Sequence, residues 1–443
     1  MALARPQLSG PVRGSRGIIE AGMDLIDDLQ ARGLIHDATD LGFLRSRLDE
    51  KSIGVYVGFD PTADSLHAGH LMGQIGLRRF QMAGHKPFPL AGGATGMIGD
   101  PGGKSEERNL LTRDELAHNV QRIKAQLQRI LDFEPGPFQA TLVDNADWTA
   151  GTSMLDFLRD VGKHITVNQM MAKESVKARL SGEAGISYTE FSYMLLQAND
   201  FRHLYEEHAV ELQMGGSDQW GNITAGIDLI RKTAGGAAHG VTWPLLLRSD
   251  GSKFGKTEGG AVWLDPERTS PYQFRQFWIQ ADDDAIVDHL LRFSTRPLDE
   301  LLAVIAEHRL APERRIAQRA LAHEMTQLVH GPEAAATADE AADVLFGGDP
   351  TYASEAALAA VAREVPSSCR PAAELADLVA LLLAADLGAS KGDVRRNLGG
   401  GAYRANGVKL GPESQLSAVS LVHDRYLLLQ RGRTNHHLVQ VIS

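Results

Sequence analysis

Apolar positions along the chain change their period several times, and each change marks an element. Between residues 22 and 49, Leu25, Ile26, Leu29 and Leu34 recur at helical spacings, which predicts a helical stretch. Ile53-Gly54-Val55-Tyr56-Val57-Gly58-Phe59 follows as a strand rich in β-branched and aromatic residues, closed by Asp60-Pro61-Thr62. A helix is expected next, capped near Asp64 or Ser65 and running to Ala83. Residues 87–91 and 140–144 read as further strands, with a helix over residues 113–131 between them. Residues 156–197 read mostly as helical, broken around Gly182 to Gly185, and residues 210–214 and 242–247 are two more strands. Strands alternating with helices predict an α/β fold, a doubly wound parallel (Rossmann-like) sheet.

The pattern changes character after residue 265. Residues 271–329 are helical with no convincing strand, and residues 334–362 are rich in Ala and Glu and only weakly hydrophobic, either a thin helical connection or a mobile linker. The last seventy residues, from near Pro371, pattern as two helices followed by short strands and glycine turns. The expected order is a flexible leader over residues 1–20, the Rossmann-like domain over 21–265, and an all-α domain over 266–335. A linker over 336–370 and a small α+β domain over 371–443 complete it. No internal repeat is visible.

At 443 residues the chain exceeds what one core usually spans, in keeping with several domains. Its 43% hydrophobic and 23% charged content excludes a wholly disordered chain, and no apolar run is long enough for a membrane-spanning helix. The lone Cys369 can form no internal disulfide and no cysteine-based zinc site, so a reducing, cytoplasmic home is expected. The first nineteen residues hold three arginines and no acid, yet the stretch is short and lacks the amphipathic pattern of a transit peptide. The net charge of −11 argues against a protein that coats nucleic acid over its whole surface. From Gly388 onward, however, eight basic residues face three acids, so a basic tail follows an acidic body and invites a polyanion to one end.

Two short segments carry candidate chemistry. Leu66-His67-Ala68-Gly69-His70 lies at a strand-to-helix crossover, with both histidines on one face beside a helix N-terminus that favours phosphate. Zinc binding, a structural histidine pair and triphosphate binding are all open for it; zinc has no third ligand at a familiar spacing. Lys253-Phe254-Gly255-Lys256-Thr257 places two lysines in a glycine-rich loop after a strand. Alone it reads as a solvated basic loop; with the histidines it makes sense as a clamp on the β- and γ-phosphates of ATP. Gly102-Gly103-Lys104-Ser105 resembles a phosphate-binding P-loop only superficially, because the required first glycine would fall on Ile98.

These two segments resemble the two signatures of class I aminoacyl-tRNA synthetases. More narrowly, Tyr56-Val57-Gly58-Phe59-Asp60-Pro61-Thr62, residues 92–100, Tyr193-Met194-Leu195-Leu196-Gln197 with Asp200, and Gly215-Gly216-Ser217-Asp218-Gln219-Trp220 are similar to bacterial-type tyrosyl-tRNA synthetase. The match runs in order from about residue 20 to the C-terminus. It implies activation of L-tyrosine by ATP to tyrosyl-adenylate and pyrophosphate, then transfer to the 3′ end of tRNA. It also implies that Tyr56 and Asp200 read the substrate phenol, that Asp100, Tyr193 and Gln197 meet its ammonium, and that Gln219 lies near its carboxylate. Asp60, Thr62, His67, Gly69, His70, Gly215, Gly216 and Asp218 are implied around ATP. Lys104, Arg108, Lys253, Lys256 and Thr257 are implied on the phosphates and leaving pyrophosphate. Magnesium would accompany ATP, with no organic cofactor and no zinc. The helical domain is implied on the anticodon side of the tRNA, and a homodimer through the insertion around residues 148–185.

Two departures stand out. The loop reads Lys-Phe-Gly-Lys-Thr where the broad class has Lys-Met-Ser-Lys-Ser, and Asn199 stands where many relatives carry an aromatic residue. In the tail, Lys391, Arg395 and Arg396 share a helix surface and Asn406-Gly407 signals a hairpin, similar to a small RNA-binding module of a ribosomal protein and of pseudouridine synthases. Little aromatic interleaving predicts recognition by backbone shape. Three other readings compete. An adenylyltransferase would have no use for the late lysine pair or the tail. A tryptophan-specific synthetase would not need the Tyr56/Asp200 pair, and a non-catalytic RNA-binding protein would have no physical reason to keep His67, His70, Lys253 and Lys256 together.

Overall fold

The computed structural model describes residues 23–100, 111–181, 185–246, 254–257, 260–416 and 419–442. They divide into two units, one of residues up to 269 with 277–325, the other of residues 270–276 with 326–443.

The first unit is built on five strands, β1 (Gly54–Phe59), β2 (Lys86–Ala91), β3 (Val143–Asp144), β4 (Val210–Gly216) and β5 (His239–Trp243). Their order is β3-β2-β1-β4-β5 and every pairing is parallel. This is the expected doubly wound arrangement. Helices Leu71–Met82, Arg113–Ile130, Tyr188–His208 and Trp220–Thr233 accompany the sheet, and Val55, Leu212 and Val241 are fully buried within it. The order reverses between β1 and β4, and a crevice opens outside the carboxyl ends of such neighbouring strands. Of the candidate site residues, Tyr56 lies on β1, Asp60 directly follows it, and Gly215 and Gly216 end β4.

Several boundaries differ from expectation for local reasons. The N-terminal helical stretch is two helices, Leu25–Ala31 and Leu41–Glu50. Between them the chain runs against β5, where His36 N–H donates to the Thr242 carbonyl at 2.7 Å and Ala38 forms a bridge with Val241. Strand β3 is only two residues long, although the apolar run suggested five. The helix expected from Asp64 or Ser65 begins at Leu71, preceded by a tighter turn, Ala68–His70, that His67 caps. Arg32 joins the first helix to the helical segment further on: it pairs with Asp28 at 2.7 Å and donates to the carbonyls of Ser294 and Arg296. A two-stranded hairpin, β6 (Lys256–Thr257) and β7 (Gly260–Ala261), follows the sheet.

The second unit has its own sheet: β8 (Ser367–Pro371), β9 (Tyr403–Ala405), β10 (Val408–Lys409), β11 (Tyr426–Arg431) and β12 (Asn435–Ile442), in the order β10-β9-β11-β12-β8. Only β8 and β12 pair in parallel. Asn406 and Gly407 both take left-handed φ, of 44° and 80°, which is the hairpin geometry their sequence signals. Residues 336–370, assigned to a linker, carry helix Glu355–Glu364 and most of helix Pro332–Leu345, the helical one of the two alternatives for this stretch. Ala341, Val344, Leu358 and Val361 share a core with Val422, Tyr426, Leu428 and Leu438. Alanines at helical spacing look weakly hydrophobic, yet they let a helix pack closely and so form this core. The sheet likewise starts at Ser367, ahead of the expected domain boundary at 371.

Candidate active site

Strand β1 carries Tyr56 inward and ends at Phe59, just before Asp60. The Tyr56 side chain is buried beside Phe201, and among the described residues its hydroxyl has no hydrogen-bond partner. Burial, and secondarily the charge of Asp200, push its phenol well above the ordinary tyrosine value. Asp200 comes from helix Tyr188–His208 and is also buried. Its two oxygens accept from Asn145 Nδ2 and Trp148 Nε1, each at 2.9 Å. Burial outweighs those two donors and raises the carboxyl to about 7. A carboxylate poised to gain a further donor and an orphaned hydroxyl in an apolar surround (Phe88, Leu90, Phe201, Leu204) form a receptor for a phenol.

A second cluster lies around Asp100. Gln219 Nε2 donates to one of its oxygens at 2.8 Å, and Lys173 Nζ stands 3.4 Å from the other. Asn222 joins the parts: its Oδ1 accepts from Lys173 at 2.9 Å, and its Nδ2 donates to Gln197 at 2.8 Å and Gln219 at 3.0 Å. Tyr193 donates its hydroxyl to Asp60 Oδ2 at 2.8 Å, and Thr95 donates to Asp60 Oδ1 at 2.8 Å. Burial, then the charges of Asp60 and Asp100, raise the Tyr193 phenol well above its usual value, so it stays a donor at neutral pH. Of the four residues expected at the substrate ammonium and carboxylate, Asp100, Gln197 and Gln219 thus sit in one hydrogen-bonded set with Lys173 and Asn222, while Tyr193 bonds to Asp60.

The paired histidines behave differently from the simple expectation of free helix-terminal N–H groups. Gly69 N–H donates to His67 Nδ1 and His67 N–H donates to His70 Nδ1, both at 3.1 Å. Ala68 N–H is taken by the Val262 carbonyl at 2.8 Å. An Nδ1 that accepts must carry no proton, so each neutral ring holds its hydrogen on Nε2 as a donor. The rings lie 4.0 Å apart, and burial, with the neighbouring His67, lowers His70 to about 3. His70 is therefore a neutral hydrogen-bond donor at physiological pH, and cationic stabilisation must come from elsewhere.

The remaining nucleotide-side residues fall around the same crevice. Thr62 is exposed just past β1, with its N–H bonded to the Asp60 carbonyl. Gly215 and Gly216 end β4, and Asp218 is exposed on the following turn. Gly255 has φ of 84°, and a Cβ there would lie 2.6 Å from the Gly69 amide nitrogen, so the two signature segments meet backbone to backbone at their glycines. Lys256 and Thr257 form β6. Lys104, Arg108 and Lys253 lie outside the described residues. In the second unit Lys391, Arg395 and Arg396 are all exposed on helix Lys391–Gly399.

Four contributors escaped the sequence reading: Asn145, Trp148, Lys173 and Asn222. Each acts through another side chain, and no motif spacing flags such a role. Asn145-Ala146-Asp147-Trp148 directly after a strand was the available signal. Among the described residues no group of three or more His, Cys, Asp or Glu side chains is arranged to hold a metal ion, and no helix is long and apolar enough to cross a membrane.

One prediction arises directly. Tyr56→Phe removes a buried hydroxyl that has no partner among the described residues, so the ligand-free protein is expected to melt higher, by about 1 kcal/mol of stability. Tyrosine affinity should fall by roughly 3- to 10-fold, the worth of one neutral hydrogen bond. Calorimetry and equilibrium dialysis on the same preparation check both signs, and a variant that lost stability would contradict the orphaned hydroxyl.

The family model of tRNA synthetases class I (W and Y) matches residues 48–347. The chain is 50% identical over 425 residues to a tyrosine–tRNA ligase of Opitutus terrae, covering 95% of this chain and all of the relative. It is 48% identical to one of Bacillus caldotenax, over 94% of this chain and all of that one. Among solved structures it is similar to a C-terminally truncated mitochondrial tyrosyl-tRNA synthetase of Aspergillus nidulans, with a TM-score of 0.67 and 31% identity over 72% of this chain and 94% of that one.

Proposed function

The chain belongs to the class I tRNA synthetases of the tryptophan and tyrosine type, and from that premise we propose how its residues divide the work. The activity is that of a tyrosine–tRNA ligase, in which ATP and tyrosine give tyrosyl-adenylate and pyrophosphate and the tyrosyl group then passes to tRNA.

In this reading the substrate phenol donates to Asp200 and accepts from Tyr56. The buried pair is the single observation that carries tyrosine over its neighbours, since phenylalanine or tryptophan would leave Tyr56 and Asp200 unpaired in an apolar pocket. Discrimination of tyrosine from phenylalanine is itself the usual illustration of that rule. The ammonium is read by Asp100, Tyr193 and Gln197, and Gln219 lies near the carboxylate. ATP lies over Gly69, Gly215 and Gly216, with Asp218 on the ribose and Asp60 and Thr62 beside it. It enters as its magnesium complex, the ion held mostly by phosphate and water.

The tyrosine carboxylate attacks the α-phosphorus and the bond to the bridging oxygen of pyrophosphate breaks. A carboxylate needs no general base, so rate comes from position and from donors aimed at the developing phosphate charge. His67 and His70 present neutral Nε2–H donors, while Lys104, Arg108, Lys253 and Lys256 supply positive charge and Thr257 a hydroxyl. In the second step the terminal ribose hydroxyl of tRNA attacks the carboxyl carbon and AMP leaves.

Two partner surfaces extend the reading. Lys391, Arg395 and Arg396 form a basic face for tRNA phosphate. Met154, Leu155, Val167 and Tyr188 are exposed apolar side chains in and beside the insertion, a surface suited to a homodimer. The helical segment would lie on the anticodon side, and the cytoplasm is the setting. The experiment that tests the core of this is tyrosine-dependent exchange of labelled pyrophosphate into ATP without tRNA, with phenylalanine and tryptophan as controls. Exchange with tyrosine alone is expected; exchange with tryptophan or with none of the three would overturn the assignment of the pocket.

A further inference from the structure

The signature segment that reads as a solvated basic loop has an apolar anchor at its centre. Phe254 is 8% exposed, and its ring centroid lies 5.1 Å from Phe277, 5.6 Å from Trp278, 4.9 Å from His289 and 5.5 Å from Phe293. All four distances fall within the range in which aromatic rings attract. Phe277 and Trp278 come from helix Pro271–Ile279, and His289 and Phe293 from helix Ile286–Phe293. Burial, with the nearby Arg292, lowers His289 to about 4, so the seat is uncharged at neutral pH. Immediately after the ring, the backbone turns through left-handed Gly255 and lies on the Gly69 amide. Gly255 accepts from Val262 N–H at 2.9 Å, and Val262 in turn accepts from Ala68 N–H at 2.8 Å. Phe254 N–H donates to the Leu246 carbonyl at 3.1 Å.

We infer that Phe254 is a positioning residue whose ring, seated among Phe277, Trp278, His289 and Phe293, holds Gly255 and Lys256 against the paired-histidine turn for adenylate formation. The inference rests on the proposed roles of that turn and of Lys256. A lysine aimed at a transient phosphate charge is useful only if its backbone is already placed, because ordering it during the reaction subtracts from transition-state stabilisation. A ring buried one residue before a glycine pivot provides that order without adding a side chain to the crevice. The aromatic seat lies on helices outside the sheet, so the position of the signature segment depends on how those helices pack. The shape of the seat, more than the identity of the ring, is what the position requires: methionine, flexible and favourable against aromatic faces, can fill it, and a small polar residue cannot.

The test uses the full-length protein with Phe254→Ser, Phe254→Met and, on the other side of the contact, Phe293→Leu. Three quantities are measured: the maximal rate of tyrosine-dependent pyrophosphate exchange, tyrosine affinity by equilibrium dialysis, and the rate of trypsin cleavage after Lys256. Phe254→Ser is expected to lose about 30-fold or more in exchange rate, since misplacement of about 1 Å costs on that scale, with tyrosine affinity within about twofold. Cleavage after Lys256 should accelerate in parallel. Phe254→Met should keep the rate within about fivefold, and Phe293→Leu should give a smaller version of the same split. If Phe254→Ser does not fold, Phe293→Leu decides. Unchanged exchange and cleavage in the variants, or tyrosine affinity falling as far as the rate, would overturn the inference. An inactive parent would count against the proposed reaction instead, and the cleavage comparison would still judge the anchor.

Discussion

Asp200→Ala is expected to lower kcat/KM for tyrosine by roughly 10²- to 10³-fold, with ATP affinity unchanged. The bound phenol would lose its charged acceptor, worth about 1.5–3 kcal/mol, and would itself be left buried and half satisfied, at about 1–3 kcal/mol more. Asn145 and Trp148, which now donate to Asp200 at 2.9 Å, would lose their acceptor too, so the pocket should lose shape as well as charge. Selectivity for tyrosine over phenylalanine should shrink by a comparable factor, because phenylalanine never used the acceptor. Steady-state exchange kinetics with both amino acids measure this, and a variant that kept its selectivity would remove Asp200 from the specificity pair.

The same residue has a pH signature. Its folded value of about 7 stands above the ordinary 3.8, so the protonated form favours the folded state. That contribution is fully present below about 3.8 and is lost as pH rises through about 7. Across the window the loss is on the order of 4 kcal/mol, at about 1.4 kcal/mol per unit. Asp200→Asn carries no titrating group. Its ligand-free melting temperature should therefore gain on the parent as pH rises from 5 to 8, even if the lost acceptor makes it less stable at the acid end. A difference between the two proteins that stays flat with pH would refute the raised carboxyl.

Gly255→Ala is the second large effect. The added Cβ meets the Gly69 amide at 2.6 Å, backbone that has no side-chain freedom to yield, and the left-handed φ of 84° adds strain of about 1–2 kcal/mol. The signature segments would separate at their point of contact, and adenylate formation should slow by roughly 10²-fold for a displacement of about 1 Å. Tyrosine affinity should hold within about twofold, because Tyr56, Asp200 and the Asp100 cluster do not involve Gly255. Rapid-quench measurement of adenylate formation, beside equilibrium binding of tyrosine, separates the two. Equal losses in both would mean that the substitution had damaged the fold at large.

The chain's own pattern was enough for the parallel sheet, because buried strands with β-branched and aromatic runs are local signals, and β1, β2 and β4 are found within a residue or two of where those runs lie. It was not enough for β3, where only Val143 and Asp144 find a partner, or for the helix start at Leu71, which follows a tighter turn capped by His67. Pairing and capping depend on what lies opposite, which no local window contains. The stretch expected as a linker misled for a related reason: alanine scores as barely hydrophobic, but Ala341 and Ala357 are fully buried because a partner surface lies against them.

Which residue types could do the chemistry was written in the order of side chains: a tyrosine on a strand, an aspartate on a helix, paired histidines and lysines flanking glycine. That order, with its spacing, is a property of the chain, and it sufficed for the resemblance and for the reaction that the relatives share. Tertiary structure alone decided the state of each group. Burial raised Asp200 to about 7 and lowered His70 to about 3, by withdrawing water that no sequence window counts. The fold engaged Nδ1 of both histidines, brought Lys173 and Asn222 into the Asp100 cluster, and seated Phe254 among four rings distant in sequence. Identity is local and is carried by the chain; protonation, orientation and anchorage are sums over neighbours, and only the folded chain supplies the neighbours.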